Sequence, residues 1–291
     1  MRYWQYLSER FPPQQFVLLA GLLAGAAGTL LQVRAFGHVD SFRSILLAFL
    51  ALLFFLFRLR LFDELKDYEH DRKYYPGRPL QRGLVQTYDI YRLILLSLLV
   101  EFSVALYAGI NPFIYFSLSF GYSFLMFKEF FLRDWLRVRF SAYIFSHELL
   151  VVPLFLYVAS LQGLAPGFDA QPFVWAVVLF LGCQMFFLEI SRKMRAPAQE
   201  NAARDTYTAQ YGLGGASALL MLVGAAALAL GYFACGRNHV YAAALLPFAY
   251  FIYSIVSFLR SPDDGKSKAV FNSAVAYFTL LNGAAIWAAL S

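Results

Sequence analysis

Charged residues are scarce in this chain: Asp, Glu, Lys and Arg make up 14% of its 291 residues, against 60% hydrophobic. A water-soluble globule carries about 25% charged and about 45–50% apolar residues. Too little polar surface remains here to cover a soluble body. Cysteine is nearly absent as well. Cys183 and Cys235 lie far apart inside apolar runs, which argues against a disulfide framework and leaves no spacing for a thiolate metal centre. Both read as small packing residues. A removable leader is not indicated, because the first apolar run lacks a small-residue cleavage site behind a short core; that run reads as a permanent helix. The net charge of +6 does not point to nucleic acid, because the basic residues cluster at the ends of apolar runs, where topology determinants sit.

What is abundant is long apolar sequence. A span needs about 20 apolar residues to cross about 30 Å of hydrocarbon. The chain offers nine such runs, at 16–36, 43–62, 87–109, 112–131, 141–161, 172–190, 212–234, 239–259 and 269–290. The expected fold class is all-α, a polytopic membrane bundle of nine helices forming a single domain over 1–291. Gly21, Gly25 and Gly28 are spaced to let helices approach closely in lipid.

The cations sort to one side. Lys66, Arg72, Lys73, Arg78 and Arg82 follow the second run, and Lys128, Arg133, Arg137 and Arg139 follow the fourth. Arg192, Lys193, Arg195 and Arg204 follow the sixth, and Arg260, Lys266 and Lys268 the eighth, while the alternate loops keep only Arg34, Arg43 and Arg237. The positive-inside rule then predicts a multi-pass protein, as in a bacterial inner membrane, with the N-terminus and charged loops cytoplasmic and Ser291 outside.

The chemistry is concentrated after the second run, in FDELKDYEHDRKYYPGRPLQRG from Phe62 to Gly83. Asp63, Asp67 and Asp71 recur every four residues, and each step of four on a helix drifts by only about 40°, so the three share a face. Carboxylates gathered this way repel one another, and their oxygens are hard ligands of the kind Mg²⁺ takes together with substrate phosphates. Arg72, Lys73, Arg78 and Arg82 follow at once and could hold the anion. The plainer alternative is a solvated helix end whose mixed charges make i,i+4 pairs. Pro76, Arg78, Pro79 and Gly83 form a stiff turn back to the membrane.

With nine spans and this motif, the chain resembles the UbiA family of intramembrane prenyltransferases, whose first motif has the form NDxxDxxxD followed by an RPxxxG-like turn. Asp67 and Asp71 match its second and third metal carboxylates, Asp63 stands at the Asn position and Glu64 at the Asp beside it. Arg78, Pro79 and Gly83 match the turn. The resemblance extends to the loop after the fourth run, where Tyr122, Ser123 and Lys128 stand like the family's Tyr-Ser and following Lys. It implies Mg²⁺ on Asp63, Asp67 and Asp71 and a diphosphate contacted by Tyr122, Lys128, Arg72 and Arg78, with Asp67, Asp71, Tyr122 and Lys128 catalytic. It further implies a prenyl diphosphate donor, a lipophilic or small-molecule acceptor, and lipids as the surrounding partners.

The family's second acidic motif, DxxxD, is replaced. After the sixth run the chain reads FLEISRKMRAPAQENAARDTYTAQYG, with Glu189 as the one carboxylate near the span end and Arg192 and Lys193 behind it. Here Glu189 is expected as a metal ligand, with Arg192 and Lys193 binding phosphate oxygens directly, because cations can support leaving-group charge in place of a metal. Loss of activity is the alternative that this replacement raises. A transporter or lipid-binding protein is a further alternative, although transporters place ionisable groups near the midplane in broken helices. A CDP-alcohol phosphotransferase would need Asp-Gly and Ala-Arg ahead of the paired acids, and FFLFRLRLF before Asp63 has neither. His147, Glu148 and Glu101 lie within or beside apolar runs and call for a reason, since ionisable groups in a membrane are expensive.

Overall fold

The structure is a computed structural model describing residues 2–164 and 171–291. It is all-helical, as the composition demands, and among the described residues nine helices or helix pairs are long and apolar enough to cross a membrane. The helices are α1 (Arg2–Arg10), α2 (Pro13–Phe36), α3 (Phe42–Lys66), α4 (Tyr68–Tyr74), α5 (Thr87–Ala108), α6 (Ile110–Phe127), α7 (Arg133–Arg137), α8 (Phe140–Glu148), α9 (Val151–Leu161), α10 (Pro172–Arg192), α11 (Tyr207–Ala234), α12 (Leu245–Arg260) and α13 (Asp264–Leu290). Each of the nine expected spans has its helix.

Most ends shift by a few residues, and three of the differences have clear local reasons. The fourth run stops at Phe127 rather than 131, because Glu129, Phe130 and Phe131 all adopt left-handed φ values of 48°, 53° and 58°, which no right-handed helix can absorb. The fifth is two helices, α8 and α9, meeting at Leu149 and Leu150. The seventh starts earlier, at Tyr207, and bends at Gly212, whose φ of 70° suits a residue without a side chain.

Helix starts at the polar loops are capped as their sequences allow. Ser41 accepts from the Ser44 amide at 3.3 Å, Thr206 from Ala209 at 3.0 Å and Asp263 from Lys266 at 2.8 Å, each satisfying an amide of the first turn. The α5 start adds the reciprocal contact, with Asp89 accepting from the Gln86 amide at 2.9 Å. Outward-facing Leu95, Leu99 and Leu106 of α5 are exposed, as expected for a helix whose solvent is hydrocarbon.

Contacts divide the chain into two compact units, Met1–Gly25 with Ser41–Ala165, and Ala26–Asp40 with Pro166–Ser291. In the first, α3 packs on α5 and α9, and α6 on α5 and α9. Its core at the charged end of α3 comprises Tyr6, Leu61, Phe62, Leu80, Val85, Ile90 and Ile94. An ion pair is buried deeper among these helices. Arg58 is fully buried and grips Glu101 in a two-pronged contact, Nε to Oε1 at 2.8 Å and Nη2 to Oε2 at 3.0 Å. It also donates to Ser123 Oγ at 2.9 Å and lies over the rings of Phe55, Phe62 and Phe120. Glu101 thus has its explanation: a charge within a span survives by being paired and fully hydrogen-bonded.

In the second unit α10 packs on α11 and α13, and α12 on α13. Close approach is set by glycine: a Cβ on Gly231 would run into the Tyr241 ring and, at 2.8 Å, into Phe180. Polar groups here are paired across helices, with Tyr277 Oη donating to the Gly224 carbonyl at 2.9 Å and Asn282 Nδ2 to Gln184 Oε1 at 2.5 Å.

Candidate active site

The acidic motif lies where α3 runs into α4. Asp67 is the one residue between them, with φ −94° and ψ 11°, yet the backbone ladder passes through it. The Asp67 amide donates to the Asp63 carbonyl at 2.9 Å and the Asp71 amide to the Asp67 carbonyl at 2.8 Å. The three aspartates therefore follow one another along one side, as their spacing requires.

Each is attended by a cation. Lys66 Nζ lies 3.3 Å from Asp63 Oδ1 and donates to Tyr143 Oη of α8 at 3.2 Å. Its side chain is only 6% exposed. Burial pushes the Asp67 carboxyl up to about 6; neighbouring Lys66 works against that shift, and Asp63 and Asp71 add to it. Asp71 is buried and paired with Arg78 from the Pro-containing turn, whose guanidinium also covers the Tyr75 ring at 4.0 Å. His70 Nδ1 lies 3.4 Å from Asp71 Oδ1. Arg72 points away, exposed, with Glu69 at 4.0 Å.

Glu64 is fully buried and turned to the other side, where Arg10 of α1 meets it at 2.5 Å. The short helix α1 is tied down along its length. Arg2 and Tyr3 both reach Asp89, at 2.9 and 2.5 Å, and Glu9 takes both prongs of Arg82 at 2.7 and 3.0 Å. Tyr6 is the buried residue of this helix, beside Glu64, and burial together with that negative charge raises its hydroxyl well above the ordinary tyrosine range.

Lys128 closes α6, and its ammonium lies 5.0 Å from the centre of the Phe127 ring, which packs on Phe62 beside Asp63 at 4.7 Å. Among the described residues it makes no ion pair. Tyr122 faces Phe130, and its hydroxyl donates to the Ser146 carbonyl at 2.7 Å. The left-handed turn at 129–131 carries Phe130 against the His147 ring, which is stacked on Tyr143 at 3.9 Å. His147 Nδ1 lies 2.8 Å from the Tyr143 carbonyl.

In the second unit, Glu189 at the end of α10 is engaged by the two cations that follow it. Arg192 Nη2 lies 2.7 Å from Oε2 and Lys193 Nζ 2.8 Å from Oε1. The loop beyond is closed by Glu200, which accepts from the Thr206 and Thr208 hydroxyls at 2.6 Å.

No protein-family model and no curated protein sequence matches this chain. Solved structures match in shape. A UbiA homologue from Aeropyrum pernix K1, in its apo form, superposes with a TM-score of 0.62 at 19% identity, over 94% of this chain and 98% of its own. A structure described as digeranylgeranylglyceryl phosphate synthase in membranes matches with a TM-score of 0.60 at 15% identity, over 100% of this chain and 99% of its own. This is a UbiA-type fold.

The acidic motif gains partners that the sequence did not announce. Lys66 reads in sequence as a topology cation, and Tyr143 carries no motif at all. The signal for Lys66 was its place inside the acidic repeat, three residues after Asp63 and next to Asp67. The α1 contacts to Glu64, Arg82 and Asp89 had no sequence signal beyond the alternation of charge and aromatic in RYWQYLSER.

The donor chemistry of the motif suits Mg²⁺, since aspartate oxygens are its ordinary ligands. The placement does not. Among the described residues no three His, Cys, Asp or Glu side chains are grouped to hold an ion. Lys66 is on Asp63, Arg78 on Asp71, and Arg192 and Lys193 on Glu189. As these side chains stand, they do not fit a bound metal.

Proposed function

We propose that this chain transfers a prenyl group from a prenyl diphosphate to an acceptor within the membrane, with the charged chemistry on the cytoplasmic side. The observation that carries this reading is the joining of a UbiA-type fold over the full chain with aspartates and cations gathered at the end of α3. In the reaction the allylic C–O bond breaks, pyrophosphate leaves with the electron pair, and the acceptor heteroatom or carbon bonds to the allylic cation and gives up a proton. Lys128, without a carboxylate partner among the described residues, takes the charge that grows on the leaving group. Arg78 is held on Asp71 and can be shared with a phosphate oxygen. Tyr122 has its hydroxyl spent on a carbonyl and is assigned to shaping the wall. Magnesium belongs to this proposal as an ion that arrives with the diphosphate, not as one caged by the resting protein.

The experiment is to give purified protein labelled prenyl diphosphates of several lengths and candidate acceptors, with Mg²⁺ and then with chelator. Because one similar structure is a digeranylgeranylglyceryl phosphate synthase, glyceryl phosphates belong among the acceptors. Pyrophosphate release is expected, lost in Asp67→Ala and Asp71→Ala. If neither prenyl diphosphate binding nor release occurs, a non-catalytic role on this fold replaces the proposal, a reading favoured by the internal pairing of Glu189 with Arg192 and Lys193.

A further inference from the structure

Lys66 is placed unlike the other basic residues of the charged loops. Arg72, Arg78 and Arg82 are 70%, 28% and 36% exposed, whereas the Lys66 side chain, at the end of α3, is 6% exposed. Its ammonium is fixed from two elements, by Asp63 one turn back on α3 at 3.3 Å and by the Tyr143 hydroxyl of α8 at 3.2 Å. The Tyr143 ring centre is 5.6 Å away, so the charge also rests near an aromatic face. Asp67, next in sequence, feels the same positive charge. An exposed i,i+3 pair would leave the carboxylates open to solvent ions and add little. A buried ammonium clamped by a distant tyrosine does something else: it occupies the cation position of the acidic motif.

We propose that Lys66 is the resident cation of the motif, holding between Asp63 and Asp67 the place that a divalent ion would otherwise take. The consequence is that the free protein carries no tightly bound divalent metal at this site. This deepens the reading of the site as a diphosphate-binding centre, and it rests on that reading only for its biological meaning. The physical argument is electrostatic. A divalent ion approaching the Asp63 and Asp67 oxygens meets a positive charge already within contact distance of one of them, on a lysine side chain only 6% exposed, although water reaches Asp63, which is 39% exposed, and weakens the effect there. Removing that charge leaves Asp63 without its ion-pair partner and Asp67 with less positive charge beside it, which favours uptake of a metal ion.

The test uses Mn²⁺ as a spectroscopic probe, titrated by electron paramagnetic resonance into the full-length chain in detergent, with no substrate present. Lys66→Gln and Lys66→Met are expected to bind Mn²⁺ at least about tenfold more tightly than the unaltered protein, a factor modest against the charge removed. The gain should vanish when Asp67→Asn is added. Lys66→Met keeps the aliphatic stem and carries the test if Lys66→Gln does not fold, as judged by circular dichroism. Tyr143→Phe leaves Lys66 in place but frees its ammonium, and should tighten Mn²⁺ binding by a smaller factor. Mn²⁺ binding no tighter in the Lys66 variants than in the parent overturns the assignment. The prenyl diphosphate experiment stands apart: its failure with the Lys66 gain intact removes the reaction and leaves the resident cation.

Discussion

At the scale of single residues the chain spends its few charges in pairs. Arg58 and Glu101 are the clearest case, because both are buried within spans and joined by a two-pronged contact, with Ser123 taking a further donor of Arg58. Glu101→Gln leaves a guanidinium stranded among phenylalanines and is expected to cost about 3 kcal/mol or more, read as a lowered thermal midpoint in detergent. A paired replacement, Arg58→Leu with Glu101→Leu, should recover much of that loss, since no charge remains unpaired. Lys128→Ala removes a cation that, among the described residues, has no carboxylate partner and rests near the Phe127 ring. If the proposed reaction holds, turnover should fall by about 100-fold, the usual scale for deleting one electrostatic stabiliser, while the thermal midpoint barely moves. The periodic aspartates were legible because helical spacing is written locally. Their partners were not: Tyr143 lies 77 residues from Lys66, and Glu101 lies 43 from Arg58, distances across which no periodicity carries information.

At the scale of helices, hydrophobic length predicted the spans well because hydrocarbon thickness fixes what a span must be. What it could not predict was where a helix breaks for stereochemical reasons. The fourth run was expected to reach Phe131, yet it meets Lys128 and Glu129, and α6 ends at Phe127 where three successive residues, 129–131, are left-handed. Phe131 is exposed at 73% and lies at φ 58°. Phe131→Gly should relieve strain and stabilise the protein by up to about 1 kcal/mol, measured by the same thermal assay. The opposite holds at Gly231, where a methyl group would collide with Tyr241 and Phe180. Gly231→Ala is expected to loosen the packing of α10, α11 and the turn at His239–Ala244, by about 2 kcal/mol on the scale of overpacked cores. The same substitution at Gly21, where the expected close helix approach is not found and nothing lies within 4 Å of an added Cβ, should be tolerated and serves as its control.

For the molecule as a whole, the distribution of cations sets an expected membrane orientation. Cys183 and Cys235 are free; with both replaced by serine, single cysteines at Arg137 and Arg204 should react with an impermeant thiol reagent from the cytoplasmic side only. A cysteine at Arg237 should react from the other. Reaction of Arg204 and Arg237 cysteines from one side would refute the charge-based topology. A UbiA-type layout was legible in the sequence from nine runs and one motif, and structural likeness at 15% and 19% identity bears it out. The helix α1 was not legible as part of the site, because a nine-residue amphipathic segment is too short to declare a partner. Its contacts carry a consequence in time. Arg2 pairs with Asp89, 87 residues later in the chain, and a ribosome adding about 5–20 residues per second needs on the order of ten seconds to cover that distance. During synthesis α1 must therefore wait for this partner while the α2 and α3 segments are made, and its Arg2 end is fastened only once the start of α5 has emerged.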